Sequence, residues 1–299
     1  RWRRDCGGRT GGEAGWSQAW RTPLRTAVDW LRDELAVVYE TRGGEQLRDP
    51  WAARDRYVDC LLAPGRVEAF VTDEGRARLS PGDRVRARCA LEMARHALLM
   101  QTSCGWFFDD LAGIEPLLVM RHGARALDLA ARLGRRLEDG FLDRLAAARS
   151  NVWKGGSGAD LYRAEVRGRA ITPARVGATA SLVRRLGYTA DVPGFAVQLP
   201  DEEAADGCVA DVVVTETRTG LREHVGVVGQ HGLDGTLRCE ADGVAYGVAT
   251  LLDVQRDAVL AQMAEALRAG TPAATGERGI GLARTLLAAG ATGVPHDLL

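Results

Sequence analysis

The hydrophobic period of this chain changes once, near Gly187, and the change limits the folds open to it. Before that point the apolar residues recur at helical spacing, and short polar residues followed by proline mark the starts. Thr22-Pro23 opens a segment with Leu24, Ala27, Val28, Leu31, Leu35 and Val38 on one face. Asp49-Pro50 and Ser80-Pro81-Gly82-Asp83 open two more, the second running to Met100. In each, a side-chain oxygen can accept from a free N–H of the first turn, and proline there loses no hydrogen bond. Residues 116–133 continue the pattern with Gly134 as a stop, 139–149 form a further helix, and Thr172-Pro173 starts one ending near Gly187.

Beyond Gly187 the runs are strand-like: "GFAVQL", "CVADVVVTETRTG", "LREHVGVVG", "GTLRCEA" and "GVAYGVATLL", separated by Gly and Asp. Arg218-Thr219-Gly220 and Asp234-Gly235 read as hairpin turns. Residues 254–269 return to an amphipathic helix and 279–290 form another. The expected fold class is α+β: an N-terminal helical, bundle-like domain over 1–170, then a smaller β-containing domain over 171–299 with C-terminal helices. "KGGSG" (Lys154 to Gly158) reads as the best linker.

Composition narrows the function classes. With 46% hydrophobic and 26% charged residues the chain is globular. A net charge of -1 offers no basic field for nucleic acid or an anionic membrane, and no run approaches a membrane helix. The six cysteines are scattered without a C-x-x-C pair, and read as reduced, mostly buried thiols of a cytoplasmic protein. No P-loop, G-x-S-x-G or H-E-x-x-H occurs, and no cofactor or metal site is expected. His96 reads as a satisfied core histidine, His224 and His231 as structural or solvated, and "GERGIGLARTLL" as a loop rather than a nucleotide fingerprint.

All seven tryptophans lie at or before Trp153, so the first half carries the large flat surfaces. Trp16 and Trp20 are four apart, and a helical turn would put them on one face. "TSCGWFFDDLAGIEP" sets Trp106, Phe107, Phe108, Asp109 and Asp110 side by side. Flat aromatics cover the apolar faces of a pyranose, and carboxylates accept its hydroxyl hydrogen bonds. The same residues also fill a core corner and cap the next helix, and both readings stand on composition.

"RWRRDCGGRTGGEAGWSQAWRTPLRTAVDWLRDEL", "DPWAARDRYVD", "MARHALLMQTSCGWFFDDLAGIEPLLVMRHGARALDLA" and "ITPARV" together resemble one family. It is the uncharacterised domain that follows the catalytic barrel in a bacterial subgroup of glycoside hydrolase family 57-like proteins. The likeness is close from Arg1 to about Arg175 and weakest after about residue 250. It implies an α-glucan context, with hydrolysis or glucanotransfer carried by a glutamate nucleophile and an aspartate acid. In retaining chemistry these carboxyls lie about 5–5.5 Å apart; here they belong to a barrel outside this chain. The chain, beginning at Arg1 without methionine, is expected to be a piece of a longer protein starting just after that barrel. No catalytic residue is assigned, and the isolated chain is expected to be inactive.

The implied partners are the N-terminal catalytic barrel of the same polypeptide, an α-glucan or maltooligosaccharide, and a second copy of the chain; nucleic acid and membrane are not among them. Trp2, Trp16, Trp20, Trp106, Asp109 and Asp110 match the family and are the expected substrate-binding set. Trp106 and the aspartate pair are expected to face the barrel, closing the sugar cleft or packing its back, with Phe107 and Phe108 turned into the helical core. Where the family has a second cysteine in its opening block this chain has Gly8, so a paired-cysteine role is not carried over. The alternative reading is a non-catalytic domain that stabilises the barrel and mediates self-association.

Overall fold

The computed structural model describes residues 4–8, 10–201, 207–231, 237–269, 281–282 and 284–286. The chain is α+β and divides into two compact units, Arg1–Ala170 and Ile171–Leu299.

The first unit is helical: α1 (Arg21–Val38), α2 (Gly44–Gln46), α3 (Pro50–Arg56), α4 (Val58–Leu62), α5 (Val67–Glu74), α6 (Pro81–Leu99), α7 (Ile114–Arg132), α8 (Glu138–Leu145) and α9 (Gly158–Leu161). Asp49 accepts from the Ala52 amide and Ser80 from the Asp83 amide, so two of the proline-marked starts are capped as their sequences require. α1 departs from that rule. It begins at Arg21 with no side-chain cap, one residue ahead of Thr22. Gly134 adopts φ 87°, letting the Gly134 and Arg135 amides close on the carbonyls of Ala131 and Ala130 at the end of α7. α6 and α7 form an antiparallel hairpin against α1, with Leu24, Leu31, Leu91, Met93, Met120 and Leu127 buried in the core.

Lys154–Gly158 is not the linker its composition suggests. It lies inside the first unit. Ser157 and Asp160 form a reciprocal cap on α9, and the buried Gly158 amide donates to Ala148 O at 2.8 Å. A Cβ on Gly158 would stand 2.6 Å from Leu145 O, so glycine here serves a close approach of backbones rather than mobility.

The second unit packs α10 (Pro173–Arg185) and α11 (Asp253–Arg268) with an antiparallel meander. Its strands are β1 (Phe195–Gln198), β2 (Val209–Glu216), β3 (Arg222–His231), β4 (Leu237–Ala241) and β5 (Val244–Gly247), in that spatial order. Thr172 caps α10 by accepting from the Arg175 amide. Val212, Val214, Val225 and Val227 are buried with Val176, Leu182 and Met263 of the helices, while Asp211 and His224 alternate to the exposed face. Gly177 lets α10 close on the sheet: a Cβ there would lie 3.4 Å from Val212, Val214 and Val225.

The turn over Arg218-Thr219-Gly220 joins β2 to β3 as expected. Asp234-Gly235 lies outside the described residues, as does most of 279–290, of which 281–282 and 284–286 are helical. A turn the sequence reading passed over joins β4 to β5: Asp242 and Gly243 have φ of 51° and 74°, the two-residue geometry that Asp-Gly favours. Nothing lies within 4 Å of a Cβ on Gly243, so a side chain there meets only backbone strain. Gly243→Ala is therefore expected to cost about 1–2 kcal/mol, and Gly243→Asn less, in urea unfolding of the chain.

Candidate functional site

The corner formed by residues 103–113 joins α6 to α7. A 3-10 turn over Ser103–Trp106 presses Gly105 against α7, where a Cβ would stand 2.3 Å from Val119 Cγ2. That contact aims Trp106 inward. Its ring is wholly buried, and its indole N–H donates to Arg21 O at 3.4 Å. The chain cannot turn three consecutive rings to one side, and the next two point out.

Phe107 and Phe108 are 45% and 46% exposed, stacked edge to face at 5.2 Å. This reverses the expectation that the phenylalanines enter the core. The inward places are taken by Trp106 and by the aspartates, because buried donors wait there.

The Asp109 carboxylate accepts from the Thr10 amide at 3.3 Å and from Gln18 Nε2 at 3.0 Å. Arg21, fully buried, stands 3.8 Å from Asp109 Oδ1 and donates to the carbonyls of Gly8 and Phe108 at 3.3 and 3.2 Å. The Asp109 carbonyl accepts from Trp20 Nε1 at 3.3 Å and Asn151 Nδ2 at 3.1 Å. Asp110 closes the other side, accepting from the Ala112 amide and the Ser150 hydroxyl, each at 2.7 Å, and from the Asn151 amide. Asn151 in turn bonds both the N–H and the C=O of Ser17.

Five of the six expected sugar-binding residues are thus placed. Trp20, Trp106, Asp109 and Asp110 are buried together in one hydrogen-bonded knot. Trp16 is half-buried beside it, with its ring packed at Gly12. Trp2 lies outside the described residues. Trp16 and Trp20 do not share a helical face, since both precede α1. The sequence reading missed Gln18, Arg21, Ser150 and Asn151. Their signal was chemical: two adjacent aspartates entering a core need donors, and "SQAWR" and "SN" hold them.

None of the six cysteines forms a disulfide. Cys60, Cys89 and Cys239 are buried, Cys6 is intermediate, and Cys104 and Cys208 are exposed, so burial holds for half of them. Among the described residues no group of three or more His, Cys, Asp or Glu could hold a metal ion, and no helix is long and apolar enough to cross a membrane.

The fold and corner define an α+β protein whose helical unit is closed by a buried polar knot. The chain belongs to the family described as a domain of unknown function (DUF3536), which it matches over residues 16–231. The match covers the corner and continues to the end of β3. No curated protein and no solved structure matches the chain.

Removing one member of a buried ion pair strands the other. Asp109→Ala is expected to destabilise the helical unit by about 3–5 kcal/mol. Asp109→Asn, which keeps an oxygen for Thr10 and Gln18, should cost less; chemical denaturation of both variants checks the order.

Proposed function

We propose that this chain is the post-barrel region of a glycoside hydrolase family 57-like protein acting on α-glucans, and that its helical unit supports the barrel without lining the sugar cleft. The α-glucan setting rests on the sequence blocks that resemble that family. The non-catalytic role rests on one observation: the buried Asp109 and Asp110 accept hydrogen bonds from the chain's own donors, Thr10 and Gln18 for the first and Ala112 and Ser150 for the second. A carboxylate so engaged has to give up those bonds before it can accept from a sugar hydroxyl. Trp106, enclosed on all sides, offers no ring face for stacking. Six cysteines without a disulfide fit a cytoplasmic setting for such a protein.

The cleft-wall reading makes a different demand on the same residues, and one substitution separates the two. Trp106→Ala in a protein carrying both barrel and domain should cost roughly 3–5 kcal/mol of stability, read as a fall in Tm. Activity on maltooligosaccharides per folded molecule should stay unchanged. A drop in kcat/KM with Tm preserved would return Trp106 to the cleft. The isolated chain, incubated with amylose, should release no reducing ends.

A further inference from the structure

Away from the corner, α6 and α7 meet through two imidazoles. His96 Nδ1 and His122 Nδ1 stand 3.0 Å apart, with the rings tilted by 48°. Two nitrogens at that distance need one hydrogen between them, and the surroundings decide which ring carries it. Arg95 Nη2 lies 3.2 Å from His96 Nε2. A guanidinium can only donate, so His96 Nε2 is the acceptor and the neutral ring holds its proton on Nδ1. That N–H donates to His122 Nδ1, which leaves the His122 proton on Nε2.

The charged groups around the pair favour this neutral arrangement. On α6, Glu92 Oε2 is 3.9 Å from His96 Nε2, but it already accepts from Arg95 Nε and Nη2 at 2.9 and 2.7 Å. Its other oxygen accepts from the Tyr57 hydroxyl, brought from the junction of α3 and α4, at 2.7 Å. Glu92 is buried, so its charge belongs to Arg95 and Tyr57 before it can serve an imidazolium. On α7, Arg125 is one turn from His122. From α6, the charge that acts on the His122 ring is the positive one of Arg95. The acidic groups farther along α7 and on α8, Asp128 and Glu138, are held by Arg167.

We propose that His96 and His122 form a one-proton latch between α6 and α7 that opens when acid adds a second proton, so that the hairpin carrying the Trp106–Asp110 corner is acid-sensitive. A second proton sets N–H against N–H at 3.0 Å if it enters His122 Nδ1, and N–H against the Arg95 guanidinium if it enters His96 Nε2. Either way a hydrogen bond becomes a repulsion. Burial, and then the positive charge of Arg95, hold the His122 imidazole below the ordinary histidine range. The sign follows: between the folded value and the unfolded one, near about 6.5, the unfolded chain binds more protons. The stabilisation is complete above the unfolded value and is lost as pH falls through the folded one.

The test is urea unfolding of the full chain from pH 8 to 5, with imidazole nitrogen NMR on the same protein. The native chain should keep a constant unfolding equilibrium constant above the unfolded value. The constant should then rise as pH falls, by about tenfold for each unit of depression of the histidine. His122→Asn keeps an acceptor oxygen near the Nδ1 position and cannot titrate, so it should remove that rise while leaving stability at pH 8 close to native. The NMR should show His96 protonated on Nδ1 and His122 on Nε2 at pH 8. An unchanged acid slope in His122→Asn overturns the latch. So does a native spectrum with His96 protonated on Nε2, a result that decides the matter even where the variant fails to fold.

Discussion

The helical unit depends on a buried charge pair that neither partner's local sequence would support. Arg21 is the first residue of α1, an end where the helix dipole disfavours positive charge, and α1 has no acidic residue in its first turn and no side-chain cap. Asp109 supplies what the helix lacks. It reaches Arg21 from the α6–α7 connection and also holds Thr10 and Gln18. Arg21 answers by donating to the carbonyls of Gly8, Phe107 and Phe108. Each ion would carry a desolvation cost of several kcal/mol on its own; the bonds from Thr10 and Gln18 to Asp109 and from Arg21 to three backbone carbonyls offset that cost. The result is one knot joining the N-terminal segment, the start of α1, the corner and the Ser150-Asn151 loop.

That dependence explains what could be read from the sequence and what could not. Helix starts are local: Asp49, Ser80 and Thr172 cap their own helices within three residues, and the sequence shows each. The strands follow the same logic, since alternation along β2 and β3 records which face is buried. The orientation of Trp106, Phe107 and Phe108 is not local. It is decided by Gly105 against Val119, fourteen positions away, and by donors at Gln18 and Asn151. Hydrophobicity ranks phenylalanine ahead of aspartate for burial, and here the ranking is reversed because the aspartates have partners and the phenylalanines do not displace them.

Glycine misled in a similar way. Lys154–Gly158 has the composition of a flexible linker, yet Gly158 is there because Leu145 O leaves no room for a Cβ. The boundary between the units falls at Ala170, just ahead of the capped start of α10 at Thr172. Composition reports what a segment tolerates in isolation, whereas a close backbone approach is a property of two segments at once.

The corner and the imidazole pair belong to the same mechanical element. Val119, which Gly105 presses upon, lies one turn before His122 on α7, and His96 lies one turn before the end of α6. A hairpin whose tip is fixed by Asp109 and Asp110, and whose helices are joined by one proton just behind that tip, has little freedom for its two strands of helix to slide. Such rigidity suits a support better than a binding wall. A sugar subsite has to release its polar groups to an incoming ligand, and here release would separate Arg21 from Asp109 in the interior. The same polar residue types that would make a glucan site chemically sensible are here engaged with one another, which is what the supporting role proposed above requires.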